Sequence, residues 1–160
     1  MKTRAAADHL FLSSTLVLIA LALVATACGG QSIPPLPAAC EEGQAAVIAA
    51  LARAPGRVAL NDGSTLSSCA RRAVNEADFE SVGAIFVAVA DTLAGQLPHS
   101  DLAALRLGYL VGAVRKGVAG DNGVDSELIH RLEEAVGPGG PPPNRGAAYA
   151  AGLAAGAHDG

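Results

Sequence analysis

The sequence predicts an all-α fold, a small bundle of about five helices, with a candidate short β-hairpin near residues 57–66. Two observations support this fold class. Apolar residues recur at steps of three and four along residues 78–97 and 102–114, the spacing that puts them on one face of an α-helix. Prolines and glycines cluster between the periodic segments, where they end helices. Strand-like patterning is confined to the short segment around Asn61-Asp62-Gly63.

The first predicted helix opens at Cys40. Glu41 and Glu42 would lie in its first turn, where acidic side chains interact favourably with the helix dipole. Ala54-Pro55-Gly56 ends it. In the segment that follows, Asn61-Asp62-Gly63 is typical of a turn and is flanked by short apolar runs, which makes the segment a hairpin candidate.

A short helix through Cys69 to about Asn75 is predicted next, capped by Ser67 or Ser68. The clearest helix then runs from about Asp78 to Leu97 and stops at Pro98. Its apolar face is formed by Phe79, Val82, Phe86, Val89 and Leu93.

Ser100 or His99 is predicted to cap a second long helix, which fades near Gly117. After a loop at residues 120–123, Asp125 is the expected N-cap of a helix carrying Leu128 and Leu132. The Pro/Gly-rich run at residues 137–143 excludes regular structure, and residues 145–157 can form one more helix.

Small residues four positions apart mark two of these helices. They occur at Gly108 and Gly112, and again at Ala148, Gly152 and Gly156. Glycine inside a helix costs about 1 kcal/mol relative to alanine, so its repeated use calls for a structural reason. We expect the two helices to approach closely through these small faces, with the tyrosines alongside.

The N-terminal segment has the three parts of a secretory signal peptide. Lys2 and Arg4 give a basic start, residues 10–27 are uncharged and largely apolar, and small residues lead into Cys28. The small residues that lead into Cys28 resemble the lipobox of bacterial lipoproteins, although Ala25 stands where that pattern prefers leucine. The resemblance implies cleavage before Cys28, a diacylglycerol on its sulfur, and a location on the extracytoplasmic face of the cell membrane.

Two other interpretations of this segment stay open, a plain secreted protein and an uncleaved anchor. Eighteen uncharged residues are at the short limit for a spanning helix, which needs about 20. Taken together, the sequence divides into a signal peptide (1–27), a Pro/Gly-rich tether (28–39), a helical domain (40–136), a Pro/Gly-rich loop (137–144) and a C-terminal Ala/Gly-rich helix and tail (145–160).

Three cysteines are unusual in an exported chain until Cys28 is assigned to lipid. Cys40 and Cys69 then form an even pair in an oxidising compartment, and we expect a disulfide between them. A redox or metal pair is the alternative. The wide spacing excludes a CxxC motif, and no histidine is near either cysteine in sequence.

Composition narrows the classes of function. Cleavage would remove two of the eleven basic residues and one of the fifteen acidic ones, leaving nine against fourteen. The remaining basic residues are scattered, so we expect no nucleic-acid partner. The pairs Arg71-Arg72 and Arg115-Lys116 are interpreted as solvated helix faces that could bind acidic lipid headgroups weakly.

No motif for catalysis, nucleotide binding or metal binding occurs in the sequence, so we predict no catalytic residues, no cofactor and no metal ligands. The run DGSTLSSC, with the later segments LRLGYLVGAVRKG and AYAAGLAAG, resembles an uncharacterised group of small actinobacterial proteins, a resemblance that implies no activity. The expectation is a lipid-anchored binding or interaction module of the cell envelope, with the membrane and an envelope protein as partners. An envelope enzyme whose site is dispersed in sequence, and a bitopic protein with an uncleaved anchor, are the alternatives.

Overall fold

The computed structural model describes residues 34–119 and 124–160, and the all-α prediction is confirmed in them. The predicted signal peptide, Cys28, the predicted tether up to residue 33 and the predicted loop at 120–123 lie outside the described residues. A short 3₁₀ helix spans Ala38–Glu41. Six α-helices follow within the described ranges: α1 (Gln44–Leu51), α2 (Leu66–Arg72), α3 (Glu76–Ala94), α4 (Asp101–Gly117), α5 (Val124–Val136) and α6 (Gly146–Asp159).

Helix α4 is the centre of the bundle and contacts each of the other five α-helices. Every residue from Leu107 to Val114 is buried. A helix that is buried on all sides must be apolar or small on all sides, and this stretch contains no charged residue. Around it lies one continuous core, whose largest fully buried side chains include Tyr109, Phe86, Leu51, Leu66 and Leu132.

Side-chain caps define the starts of the two long helices. The Asn75 side chain accepts a hydrogen bond from the Asp78 N–H at 2.9 Å, so α3 begins at Glu76, earlier than predicted. The Ser100 hydroxyl accepts from the Ala103 N–H at 3.1 Å, which identifies Ser100 and not His99 as the cap of α4. Helix α4 ends at Gly117, as predicted.

The candidate hairpin near residues 57–66 does not form, because that segment, described throughout, contains a turn but no strand. The Gly63 N–H donates to the Leu60 carbonyl at 3.0 Å, and Gly63 has a φ of 84° that favours glycine. A second strand cannot follow the turn, because the next residues already begin α2. Thr65 caps this helix by accepting a hydrogen bond from the Ser68 N–H. The caps predicted at Ser67 or Ser68 were therefore wrong by two or three residues.

The predicted helix opening at Cys40 was also wrong. Cys40 lies in the 3₁₀ helix, and Gly43, with a φ of 92°, breaks the chain before α1 starts at Gln44. Helix α2 ends at Arg72 and not at Asn75, which instead caps α3. The helix predicted to follow an Asp125 cap starts at Val124, so Asp125 lies inside α5.

The predicted close approach of the two small-residue faces is confirmed between α4 and α6. A Cβ atom built on Gly112 would lie 2.8 Å from the Ala157 N atom, and one on Gly108 would lie 2.9 Å from the Leu153 N atom. On the other side, a Cβ on Gly152 would lie 2.9 Å from the Tyr109 N atom. Carbon atoms do not approach backbone so closely, so only glycine allows this separation of the two helices.

Among residues 34–119 and 124–160, no helix combines the length and apolar character needed to cross a membrane.

Candidate functional site

An open cleft of about 340 Å³ lies where the ends of several elements meet. Its lining is polar and consists of Arg57, Thr65, Ser67, Arg71, Lys116, His158, Asp159 and Gly160. Arg57 belongs to the segment between α1 and α2, and Lys116 to the last turn of α4. His158 and Asp159 end α6. The site is thus assembled from four segments, and the ends of α4 and α6 are far in sequence from the other two.

Tight packing of α2 against the end of α4 positions the basic residues. A Cβ atom built on Gly117 would lie 2.8 Å from the Cβ of Ala70, so the two helices touch at this point. Lys116 immediately precedes Gly117, and Arg71 immediately follows Ala70. The contact therefore brings their backbones together, and both cations line the same cleft.

Hydrogen bonds fix the floor of the cleft. The buried Ser67 hydroxyl donates to the Gly160 carbonyl at 2.5 Å, and its oxygen lies 3.0 Å from the Thr65 Oγ1. The Lys116 ammonium donates to the His158 carbonyl at 2.7 Å. These contacts tie α2, α4 and the end of α6 together. The Ser67 proton is given to a main-chain oxygen of Gly160, so in this hydrogen bond the hydroxyl holds α2 to the end of α6.

The two arginines of the cleft are without carboxylate partners. Arg57 and Arg71 are exposed, and neither side chain makes a hydrogen bond or ion pair with another residue in the described part of the chain. Of the described residues that line the cleft, only Asp159 is acidic, and its carboxylate contacts His158 at 2.7 Å. With His158 neutral, three cations and one carboxylate give the lining side chains a net charge of +2, whereas the whole chain carries −4.

The neighbouring basic residues are used differently. Arg115, next to Lys116, binds Glu133 of α5 through its guanidinium. Arg72, next to Arg71, acts on Asp62: the pKa of Asp62 is lowered first by the hydrogen bond that its carboxylate accepts from the Ser64 N–H and more weakly by the charge of Arg72. One member of each basic pair therefore has an acidic neighbour, and the other faces the cleft.

Tyr109 links the cleft to the core. Burial raises the pKa of its hydroxyl, and the hydrogen bond that it accepts from the Val58 N–H at 3.1 Å acts in the opposite direction. The charges of Asp159, which raises the pKa, and Arg57, which lowers it, also act on this hydroxyl. The pKa of the Tyr109 hydroxyl therefore depends on two charged residues that line the cleft, Asp159 and Arg57.

The predicted cysteine pair is confirmed as a disulfide. Cys40 and Cys69 are bonded, with their Cα atoms 5.6 Å apart, and they are 1% and 0% exposed. Cys69 lies in α2 between Ser67 and Arg71, so the bridge also holds the helix that supplies these two cleft residues. Cys28 lies outside the described residues.

The cleft was not predicted from the sequence. Arg71 and Lys116 belong to two separate basic pairs, and nothing in their spacing indicates that they converge. The signal that was present is the unusual Gly117, whose missing side chain lets α4 meet α2. In residues 34–119 and 124–160, no group of three or more His, Cys, Asp or Glu side chains is placed to hold a metal ion.

No protein-family model, no curated protein and no solved structure matches this chain.

Proposed function

We propose that this chain is an exported lipoprotein of the cell envelope, anchored through lipid on Cys28, and that its folded domain is a non-catalytic binding module. The observation that carries the anchoring is the use of the cysteines. Cys40 and Cys69 are bonded to each other in the disulfide. Cys28, the third cysteine of the sequence, therefore has no cysteine partner within it. That cysteine is the one at the end of the apolar N-terminal segment.

The disulfide also supports export. Structural disulfides form in oxidising compartments and are rare in the cytosol. This one closes a loop with a sequence separation of 29 and lies entirely in the core. A bridge over such a loop stabilises the folded state by about 3–4 kcal/mol in the chain-entropy model. The fold therefore benefits from the environment that a lipoprotein signal would give it.

The binding role is supported by the cleft. Its lining is polar and open, and its arginines form no ion pair with a carboxylate in the described part of the chain. The Ser67 hydroxyl is committed to the Gly160 carbonyl and the His158 ring to its neighbour Asp159. This arrangement offers charge for holding a ligand, and it offers no activated nucleophile.

Metabolic labelling with a palmitate analogue tests the anchoring. We expect label on the wild-type chain and on the Cys40→Ala/Cys69→Ala variant, and none on Cys28→Ala. We also expect the wild-type mass to correspond to residues 28–160 plus lipid. A wild-type chain that stays unlabelled and full-length in the membrane fraction would contradict the proposal and would favour an uncleaved N-terminal anchor.

A further inference from the structure

We propose that the cleft formed by Arg57, Arg71 and Lys116 is a binding site for a phosphate-bearing anion. The inference rests on the proposed function in one respect, since it names the ligand class of the binding module. The site itself is defined by residues of the folded domain and does not depend on how the chain is anchored.

The first support is the convergence of unneutralised cations. Arg57, Arg71 and Lys116 come from three different segments and line one cleft. Like charges brought together repel each other, and the repulsion is relieved when an anion binds between them. The chain as a whole is acidic, with a net charge of −4, so this positive spot is not a by-product of a basic composition.

The second support is the contrast within the two basic pairs. Arg115 binds Glu133. The charge of Arg72 lowers the pKa of the nearby Asp62 carboxyl. Their neighbours Lys116 and Arg71 have no acidic partner of this kind in the described part of the chain, although fourteen of the acidic residues lie outside the N-terminal segment. Acidic side chains are thus available in the fold, and Asp159 is the one that lines the cleft with these two cations, without forming an ion pair with either.

The third support is rigidity. Arg71 is on a helix that is bridged to Cys40 through Cys69 and packed against Gly117. The backbone of Lys116 is fixed in the last turn of α4, and its ammonium already donates to the His158 carbonyl, which leaves two of its three N–H donors for a ligand. Because these backbones are held in place before binding, the entropy that is lost when the ligand arrives is limited to the side chains.

The chemistry of the lining selects the ligand class. A guanidinium presents paired N–H donors that match two phosphate oxygens, whereas an ammonium acts as a point charge. The cleft volume of about 340 Å³ is at the small end of the roughly 300–1,000 Å³ typical of ligand pockets. Its polar lining gives little for an apolar ligand to bury. A single phosphate group, either free or on a lipid headgroup, has a charge and a size that match this cleft.

The test uses the full chain in bicelles of neutral lipid, with amide shifts followed by NMR at low salt. In one arm inorganic phosphate is titrated, and in the other part of the neutral lipid is replaced by phosphatidylglycerol. We expect saturable shifts at Arg71, Lys116 and their neighbours with phosphate. Saturation in the second arm as well would identify the source as a lipid headgroup, and its absence there would identify a soluble phosphate compound.

Two double variants with the same charge change make the comparison specific. Arg71→Gln/Lys116→Gln should weaken phosphate binding at least tenfold, because both cations line the cleft. Arg72→Gln/Arg115→Gln removes the adjacent cations and should change binding by less than twofold. None of the four residues is buried, so both variants are expected to fold, and their melting temperatures verify it.

Two outcomes would overturn the proposal. The absence of a saturable shift with either anion would show that the cleft does not bind phosphate. Equal weakening in the two double variants would show that binding follows net charge and not the cleft. Neither outcome bears on palmitate labelling at Cys28, so failure of this inference is distinguishable from failure of the anchoring proposal.

Discussion

The backbone N–H of Val58 donates a hydrogen bond to the hydroxyl of Tyr109 at 3.1 Å, across 51 positions of sequence. Both residues are fully buried. Val58 lies in the segment where a strand was expected, and a strand would satisfy this N–H with a neighbouring strand. Here a side chain of the central helix does so. The contact fixes the irregular segment that carries Arg57 against the core.

Tyr109→Phe should destabilise the protein. The change removes the acceptor while keeping the ring, so the buried Val58 N–H is left without a partner, at a cost of about 1–3 kcal/mol. Urea unfolding measures the loss. Tyr149→Phe is the control, because Tyr149 is only partly buried and its hydroxyl makes no hydrogen bond in the described part of the chain, and its effect should stay within about 0.5 kcal/mol. Equal free energies of unfolding for the two variants would refute the role assigned to Tyr109.

Alkaline pH should also destabilise the fold. Burial raises the pKa of both Tyr109 and Tyr149 above the usual value of about 10. The folded state then holds the phenolic proton more tightly than the unfolded state. The resulting stability is complete below about pH 10 and declines as the pH rises above it.

The ultraviolet absorbance of tyrosinate in the Tyr149→Phe variant measures the ionisation of Tyr109 alone, because the chain has two tyrosines. We expect ionisation at higher pH in the folded chain than in urea. Coincident titration curves in the two conditions would contradict the prediction.

Gly112→Ala should lower the melting temperature, although alanine is the better helix former. Its Cβ would meet the backbone of α6, 2.8 Å from the Ala157 N atom, and such overpacking costs about 1–3 kcal/mol. Gly83→Ala is the matched control inside α3. Its Cβ would lie 3.8 Å from the nearest atom, Leu128 Cδ1, so helix propensity should stabilise the variant by up to about 1 kcal/mol. Shifts of the same sign in the two variants would argue against the close approach of α4 and α6.

Arg145→Lys should destabilise the connection between α3 and α4. The guanidinium donates to the Leu97 carbonyl at 3.1 Å, the Pro98 carbonyl at 3.2 Å and the Asp101 carboxylate at 2.6 Å. A lysine cannot reproduce this fork, and we expect a loss of about 1–2 kcal/mol in chemical denaturation.

The control for this change is Arg131→Lys. Arg131 pairs with Glu127 one helical turn away, and both side chains are more than half exposed. Such a pair contributes about 0.5 kcal/mol or less. If the two lysine variants unfold at the same denaturant concentration, the partly buried Arg145 fork adds nothing beyond an ordinary surface ion pair.

Local signals in the sequence were enough to predict most of the helices. The three- and four-residue steps from Phe79 to Leu93 act over a few residues, so they can be recognised without a structure, and the sequence narrowed the next cap to His99 or Ser100. The approach of α4 and α6 was predictable as well, because repeated glycines weaken a helix unless a second helix packs closely against them. Errors occurred at Cys40 and at residues 57–66, where Gly43, Thr65 and the distant Tyr109 decide the conformation.

Composition and short-range pattern therefore determined the all-α class, the disulfide partners and the glycine-lined helix pair, since each depends on residue types or on spacing along one element. The cleft was decided by tertiary packing alone. Arg57, Arg71, Lys116 and Asp159 come from four segments, and no spacing between them encodes their meeting. They converge because α2 touches α4 at Gly117 and α6 ends beside Ser67, contacts that arise only when the core packs.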